Sequence, residues 1–281
     1  MEAARSFVNN NRQLLINVAY FVVFAVILYL IYYYLTAGDE LQIVVLQDVA
    51  AGNKTPDTPL PPLASVNPLV RINSGGEYTF SFWMYVNGWD YRSGLPKSVI
   101  QITDSGLDEY YLLNTILYPN ESKLMIRVHT SRSLGTDYTN IAQSDALLRT
   151  SGALATENAM SSPVCDIMDI DLQRWLNITI AVNGRIVDVY YDGKLNRSCV
   201  LPDLTEAGSQ TSIQTVQIGN NKGFTGQLTG VQFFAYALTP DRIYAIYQHG
   251  PTGAASLVAS LFQKLGIKIS SSGSTPMGSF M

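Results

Sequence analysis

The stretch Trp175-Leu-Asn-Ile-Thr-Ile-Ala-Val-Asn-Gly-Arg-Ile-Val-Asp-Val-Tyr-Tyr-Asp-Gly-Lys-Leu-Asn-Arg-Ser-Cys-Val-Leu201 decides the fold. Ile178, Ile180 and Val182 recur at a period of two, which in an extended chain places them on one face. Asn183-Gly184 and Asp192-Gly193 interrupt that pattern. Asn-Gly and Asp-Gly suit two-residue type I′ turns, because both central residues need φ > 0. The reading is therefore a strand to Val182, a turn at Asn183-Gly184, a strand Arg185 to Tyr191, a turn at Asp192-Gly193, and a strand Leu195 to Val200. Three strands joined by two tight turns make an antiparallel meander.

The same period extends outward. Tyr78, Phe80, Phe82, Met84 and Val86 alternate with Thr79, Ser81, Trp83 and Tyr85, a strand with one strongly apolar face. Ser98 to Thr103, Tyr110 to Tyr118, Lys123 to His129, Ile213 to Ile218 and Gln227 to Ala237 read as further strands, with Pro119-Asn120 as a turn. Between His129 and Cys165 the pattern weakens into Ser, Thr and Gly, leaving a long loop or a short helix near Ile141 to Leu148. Leu238-Thr-Pro-Asp announces a helix, with Thr239 as N-cap, Pro240 at the first helical position and Asp241 favourable to the dipole. Ile243, Ile246 and Tyr247 form its apolar stripe, and Gly250-Pro251 ends it.

Upstream, Leu14 to Leu35 is uncharged, and Asn17 is its only strongly polar member. A helix rises about 1.5 Å per residue, so such a run matches a bilayer's hydrocarbon core, and Tyr32 to Tyr34 suit an interfacial belt. A signal peptide would have a shorter apolar core and a small-residue cleavage site, whereas bulky tyrosines stand here, although Thr36-Ala37-Gly38 keeps that alternative open. The expectation is a transmembrane helix over 14–36. Arg5 and Arg12 precede it while Asp39 and Glu40 follow, which favours residues 1–13 as a cytoplasmic N-terminus. Residues 37–68, with prolines at 56, 59, 61, 62 and 68, read as a membrane-proximal segment and proline-rich linker, although Leu41 to Val49 has the look of a strand. Residues 69–251 then form the β domain. Residues 252–281 carry an amphipathic segment, Leu257 to Leu265, and a Ser-rich tail expected to be flexible.

The chain has 18 Lys+Arg and 22 Asp+Glu, a formal charge of −4, so it lacks the basic stripe that nucleic-acid binding requires. Cys165 and Cys199 are too few for a metal cage. An oxidising compartment would bridge them, and two buried free thiols are the alternative. Asn-x-Ser/Thr sequons stand at Asn53, Asn120, Asn177 and Asn196, with Asn177 expected to point outward from its strand.

Several pieces together resemble one family. Phe80-Ser-Phe-Trp-Met-Tyr-Val86, Trp175-Leu-Asn-Ile-Thr-Ile180, Val189-Tyr-Tyr-Asp-Gly-Lys-Leu195, Gln217-Ile-Gly219, Phe224-Thr-Gly-Gln-Leu-Thr-Gly-Val231 and Phe234 to Tyr247 resemble, in order, the strands of concanavalin A-like, laminin-G-like domains. The resemblance spans Leu69 to Pro251 and implies an all-β, two-sheet antiparallel jelly-roll sandwich with one or two short C-terminal helices. A single anchor ahead of such a domain, with the Asp192-Gly-Lys-Leu195 and Ser198-Cys-Val-Leu201 stretch, also resembles membrane-anchored structural proteins of large double-stranded DNA viruses. That resemblance implies a minor capsid or internal-membrane protein in the virion, contacting capsid components.

The fold also hosts glycoside hydrolases, which align carboxylates as Glu-x-Asp-x-x-Glu to flank the scissile bond. No such motif occurs. The acidic clusters Asp104, Asp108, Glu109 and Asp166, Asp169, Asp171 read as turn and loop residues, and Asp192 belongs to a turn. His129 and His249 lack a neighbouring nucleophile elbow. The expectation is a non-enzyme with no catalytic residues and no cofactor. Family members often carry calcium at loop carboxylates, for which Asp104, Asp108 and Glu109 are the weak candidates. Ligand binding falls on Trp89, Asp90, Tyr91 and Arg92 in one loop and Asn220 and Asn221 in another, where aromatic, amide and charged groups gather. The alternative for Trp89 is that it covers the edge of the core. The function read from sequence is a membrane-anchored structural or interaction protein binding a protein partner, with a glycan-binding lectin as the alternative and glycoside hydrolysis as the reading with least support.

Overall fold

The computed structural model of the 281-residue chain describes residues 12–36, 42–46, 49–53, 58–59, 76–132, 138–151, 165–207, 212 and 214–251. Two compact units are present, Met1–Glu40 and Leu41–Met281. The first contains α1 (Arg12–Thr36), 25 residues long. Its described side chains between Ile16 and Tyr29 are exposed on every side, reaching 72% at Phe21. Among the described residues no helix is long and apolar enough to cross a membrane.

The second unit is an antiparallel sandwich. One sheet has the order β1 (Gln42–Leu46), β12 (Gly226–Phe234), β4 (Glu77–Val86), β8 (Trp175–Asn183), β9 (Ile186–Tyr191), β10 (Lys194–Val200), and β2 (Ala50–Ala51) also pairs with β12. The other has the order β3 (Thr58–Pro59), β11 (Gln214–Ile218), β5 (Lys97–Asp104), β6 (Tyr111–Leu117), β7 (Leu124–Val128). The period-two positions meet between the sheets. Tyr78, Phe80, Phe82, Met84 and Val86 of β4 pack with Ile178, Ile180 and Val182 of β8, with Ile100 and Ile102 of β5, and with Val216 and Ile218 of β11. Burying one such side chain contributes about 1.5–3 kcal/mol, so this shared face holds the sheets together.

Both outer faces are partly roofed by helices. α3 (Pro240–His249) lies over the larger sheet, where Ile243 and Leu238 pack with Ala181, Tyr190 and Phe234, and Tyr247 stacks on Trp83 with ring centroids 5.8 Å apart. Thr239 occupies its N-cap position without a side-chain cap bond. α2 (Ile141–Arg149) packs Leu147 and Leu148 on Ile116, Tyr118 and Met125 of the smaller sheet. Asn140 caps α2 by accepting from the Gln143 N–H at 3.1 Å.

Three sequence expectations are corrected here. Part of the 37–68 linker is sheet: β1 and β2 pair with β12, and β3 with β11, so the sandwich begins at Gln42 rather than at 69. Prolines suggested an extended spacer, but Pro59 sits in a short edge strand, where a missing N–H is tolerated. The first meander turn is Gly184-Arg185, one residue later than read from Asn183-Gly184. Asn183 pairs with Ile186, and φ is positive only at Gly184, at 60°. A two-residue turn with φ > 0 at its first central position alone selects glycine there. The second turn, Asp192-Gly193, has φ of 50° and 73° as its type requires.

The third correction is Asn177, which does not point to solvent. It faces the outer side of the larger sheet but is fully buried, and its amide nitrogen donates to Ser81 Oγ and the Phe82 carbonyl, both at 3.4 Å. A glycan has no room there. Asn53, Asn120 and Asn196 are exposed. Cys165 and Cys199 are joined in a disulfide with Cα atoms 5.8 Å apart. It ties β10, an edge of the larger sheet, to the 165–170 segment, whose Ile167 pairs with Leu124 of β7 in the smaller one. The amphipathic segment 257–265 and the tail lie outside the described residues.

Candidate functional site

Three segments meet at one end of the sandwich: the loop after β4, the end of α2, and the loop between β11 and β12. The last of these is fixed by close backbone approach. A Cβ on Gly219 would lie 2.1 Å from the Gly52 carbonyl oxygen, and one on Gly223 would lie 2.0 Å from the same atom. Their φ values of 63° and 47° are also open to glycine at little cost. Between them Asn221 and Lys222 take φ of 51° and 71°, which turns the loop sharply outward.

Arg92 joins the three segments. Its guanidinium donates to the Asn221 carbonyl from one nitrogen and to the Leu148 carbonyl, at 2.7 Å, from another. The second contact sits at the C-terminal end of α2, where unpaired carbonyls favour a cation. Tyr91 adds a bond from its hydroxyl to the Lys222 carbonyl at 2.9 Å. Asn221 then bridges across, donating to Asp145 Oδ1 at 2.9 Å and accepting from Arg149 Nη2 at 3.4 Å. Asn220 turns inward, donating to Gln217 Oε1 at 3.4 Å and accepting the Asn221 N–H at 2.8 Å, near the Tyr111 phenol. Burial, then the Asp145 carboxylate, pushes that phenol up to about 12.

The structure thus gathers Tyr91, Arg92, Asn220 and Asn221 from the two loops the sequence singled out. Asp90 is exposed on the rim. Trp89 is the exception. Its indole N–H donates to the Tyr118 carbonyl at 3.0 Å, and it packs against the core. Lys97 lies over its ring, 5.5 Å from the centroid. Trp89 therefore covers the core edge and offers no open sugar platform, which corrects the ligand-binding reading for that residue.

Lys97 is almost fully buried, with its ammonium donating to the Leu95 and Pro119 carbonyls at 3.2 and 3.3 Å. Burial, then the nearby Arg92 charge, brings it down to about 8. Sequence reading missed Arg149 and Lys222. The signal for Lys222 was its place in Asn220-Asn221-Lys222-Gly223, a turn-forming run that exposes its lysine. Arg149 gave no signal, because which end of a short helix faces a loop is decided by tertiary packing.

The calcium candidates do not converge. Asp104 is buried, with one oxygen accepting the Gly106 N–H at 2.8 Å and the other the Gln214 amide at 2.9 Å, so it closes a turn. Asp108 and Glu109 are exposed, and no group of three metal-ligating side chains is found among the described residues. Asp192 is held in its turn, accepting the Asn177 N–H at 2.9 Å and Arg174 at 2.7 Å. Asp166 is buried between Arg127 and Tyr118, whose hydroxyl donates to it at 2.8 Å. His129 is buried, stacked on Tyr110 and 3.6 Å from Glu206.

A two-sheet antiparallel sandwich with connecting loops gathered at one end is the architecture of a concanavalin A-like domain. The chain belongs to the concanavalin A-like lectin/glucanases superfamily, whose laminin-G model matches residues 63–244. No curated protein matches it by sequence. Similar solved structures include the binding domain of botulinum neurotoxin DC in complex with rat synaptotagmin II, at 13% identity and TM-score 0.44, covering 74% of this chain and 51% of that one. The same toxin domain in complex with SialylT matches at 13% identity and TM-score 0.42, again over 74% and 51%. A Trypanosoma rangeli sialidase matches at 11% identity and TM-score 0.41, over 74% of this chain and 27% of the enzyme. The chain spans about half the length of the toxin domains it matches.

Proposed function

We propose that this chain is a membrane-anchored, non-catalytic recognition protein whose sandwich engages a protein partner through the end built from residues 90–92, 145–149 and 220–222. The observation that carries the reading is the convergence of three separate segments on one another, organised by Arg92 and leaving Arg149 and Lys222 exposed. Anchoring is supported by the uncharged run Leu14 to Leu35, about 33 Å as a helix, and by the exposure of its apolar side chains. The non-catalytic reading is supported by how the carboxylates are engaged: Asp104, Asp166 and Asp192 each serve a turn or an ion pair rather than one another.

The test uses the full chain in its membrane, with a photo-crosslinking residue at position 222 or, on β10, at position 194. A discrete protein adduct from 222 and none from 194 is expected. Equal adducts from both positions, or none from 222, would overturn the reading. Flotation on liposomes tests the anchor, and deletion of 14–35 should abolish it. Glycan binding at the same end is the second reading, favoured by Asp145 and Asn221 as hydroxyl partners, and saturable binding on a glycan array would select it. A place between the membrane and the shell of a virus follows from the architectural resemblance. Detection in purified virions, with protease access to each membrane face, tests that placement.

A further inference from the structure

We infer that the partner's contact segment is an acidic peptide, held by Arg149 and Lys222 on the platform that Arg92 assembles. This rests on the reading of that end as the recognition surface. The observation behind it is a charge imbalance. Arg92, Lys97, Arg149 and Lys222 gather where Asp90 and Asp145 are the acidic members, on a chain whose formal charge is −4.

Elsewhere in the sandwich Arg127 is matched with Asp166, Arg174 with Asp171 and Asp192, and Lys123 with Glu121, while Arg185, by itself on another edge, donates to the Leu201 and Pro202 carbonyls. At this end, among the described residues, none of Arg92, Arg149 and Lys222 forms an ion pair. Arg92 donates to the carbonyls of Leu148 and Asn221, and Arg149 to the Asn221 side-chain amide oxygen. Asp145, which lies one helical turn before Arg149, has one oxygen taken by Asn221. The neutral acceptors position Arg92 and Arg149 without cancelling their charge. Such a field, set in a molecule of opposite net charge, selects anions and steers them to one place.

The choice of a peptide over a sugar follows from the aromatic side chains at this end. A guanidinium recognises an oxyanion, carboxylate or phosphate, through two parallel N–H bonds, and Arg149 uses one of its nitrogens on Asn221, leaving donors at its exposed end. A sugar site would add an exposed aromatic face. The aromatic best placed for that, Trp89, is held under Lys97 against the core, and the Tyr91 hydroxyl is tied to the Lys222 carbonyl. Carboxylate side chains on an extended peptide match what is left.

The experiment measures fluorescence polarisation of a labelled octaglutamate peptide with the full chain in neutral-lipid nanodiscs. A glycine-serine peptide and a sulfated oligosaccharide serve as comparison probes. Octaglutamate is expected to bind, to weaken as salt is raised, and to lose at least tenfold in affinity in Arg149→Glu/Lys222→Glu. Lys194→Glu, an exposed lysine on β10, should bind as the native chain does, and both variants should melt within a few degrees of it. If the sulfated oligosaccharide binds at this end and octaglutamate does not, the acidic-peptide inference falls while the recognition surface stands. If octaglutamate binds equally to the double variant, both fall. No binding of octaglutamate overturns the inference outright.

Discussion

Lys97 carries an unusual load for one side chain. It is buried at the first position of β5, ties Leu95 to Pro119 and covers Trp89. Its ordinary value of 10.5 falls to about 8, so between those pH values the unfolded chain binds more protons than the folded one. Stability then rises with pH through that window, since the slope follows the excess of protons bound by the unfolded state. Chemical denaturation at pH 7.5, 8.5 and 9.5 should show this rise in the native chain and lose it in Lys97→Met. An equal rise in the variant would assign it to another group. A second residue-scale prediction concerns Gly219. Alanine there meets the Gly52 carbonyl and must hold φ at 63°, so Gly219→Ala is expected to cost about 2–4 kcal/mol in equilibrium unfolding. A loss under about 0.5 kcal/mol would mean that the 50–53 segment moves aside freely.

At the scale of elements, β10 depends on its disulfide more than on its pairing. It has one strand neighbour, and Leu195 and Val200 are more than half exposed, so little apolar burial holds it. Cys199 ties it to Cys165 across a sequence separation of 34, a loop whose closure is worth about 3–4 kcal/mol in the chain-entropy model. Cys165→Ser/Cys199→Ser should lower the melting temperature and speed amide exchange first in residues 194–200. Uniform exchange across both sheets would show that the bridge acts on the whole domain instead. How much of the elements could be read in advance varied with how local their causes were. The β4 and β8 faces were legible, because Tyr78 to Val86 and Ile178 to Val182 alternate without interruption. β2 and β3 were not, since two-residue strands exist only where β12 and β11 offer them a partner.

For the whole molecule, the buried phenols set the alkaline limit. Burial raises Tyr78, and burial with the nearby Asp166 raises Tyr118. Tyr111 and Tyr191 are pushed up to about 12, in each case first by burial. Unfolded tyrosines ionise near 10, so above that pH the folded chain holds more protons and stability must fall as pH rises. Together with Lys97 this predicts a stability maximum near pH 10 on the alkaline side. Urea midpoints from pH 8 to 12, read beside tyrosinate absorbance at 295 nm, check it. A steady decline from pH 8 would contradict the predicted maximum. The candidate site also belongs to this scale. Its loop residues Arg92, Asn220 and Asn221 announced themselves as polar side chains in turn-forming runs, yet Arg149 joined them only because α2 packs on β6 and β7.

The sequence by itself determined an antiparallel β domain behind an apolar helix, because alternation and turn chemistry act between residues close in the chain, and the resemblance of its strands to concanavalin A-like domains implied the sandwich. Tertiary structure alone decided the register of the first meander turn, the entry of residues 42–59 into the sheets and the burial of Asn177. It also decided that Trp89 is a core cover while, among the described residues, Arg149 and Lys222 form no ion pair. Those outcomes depend on contacts between residues far apart in sequence, and neither a pairing partner nor the absence of one is encoded locally.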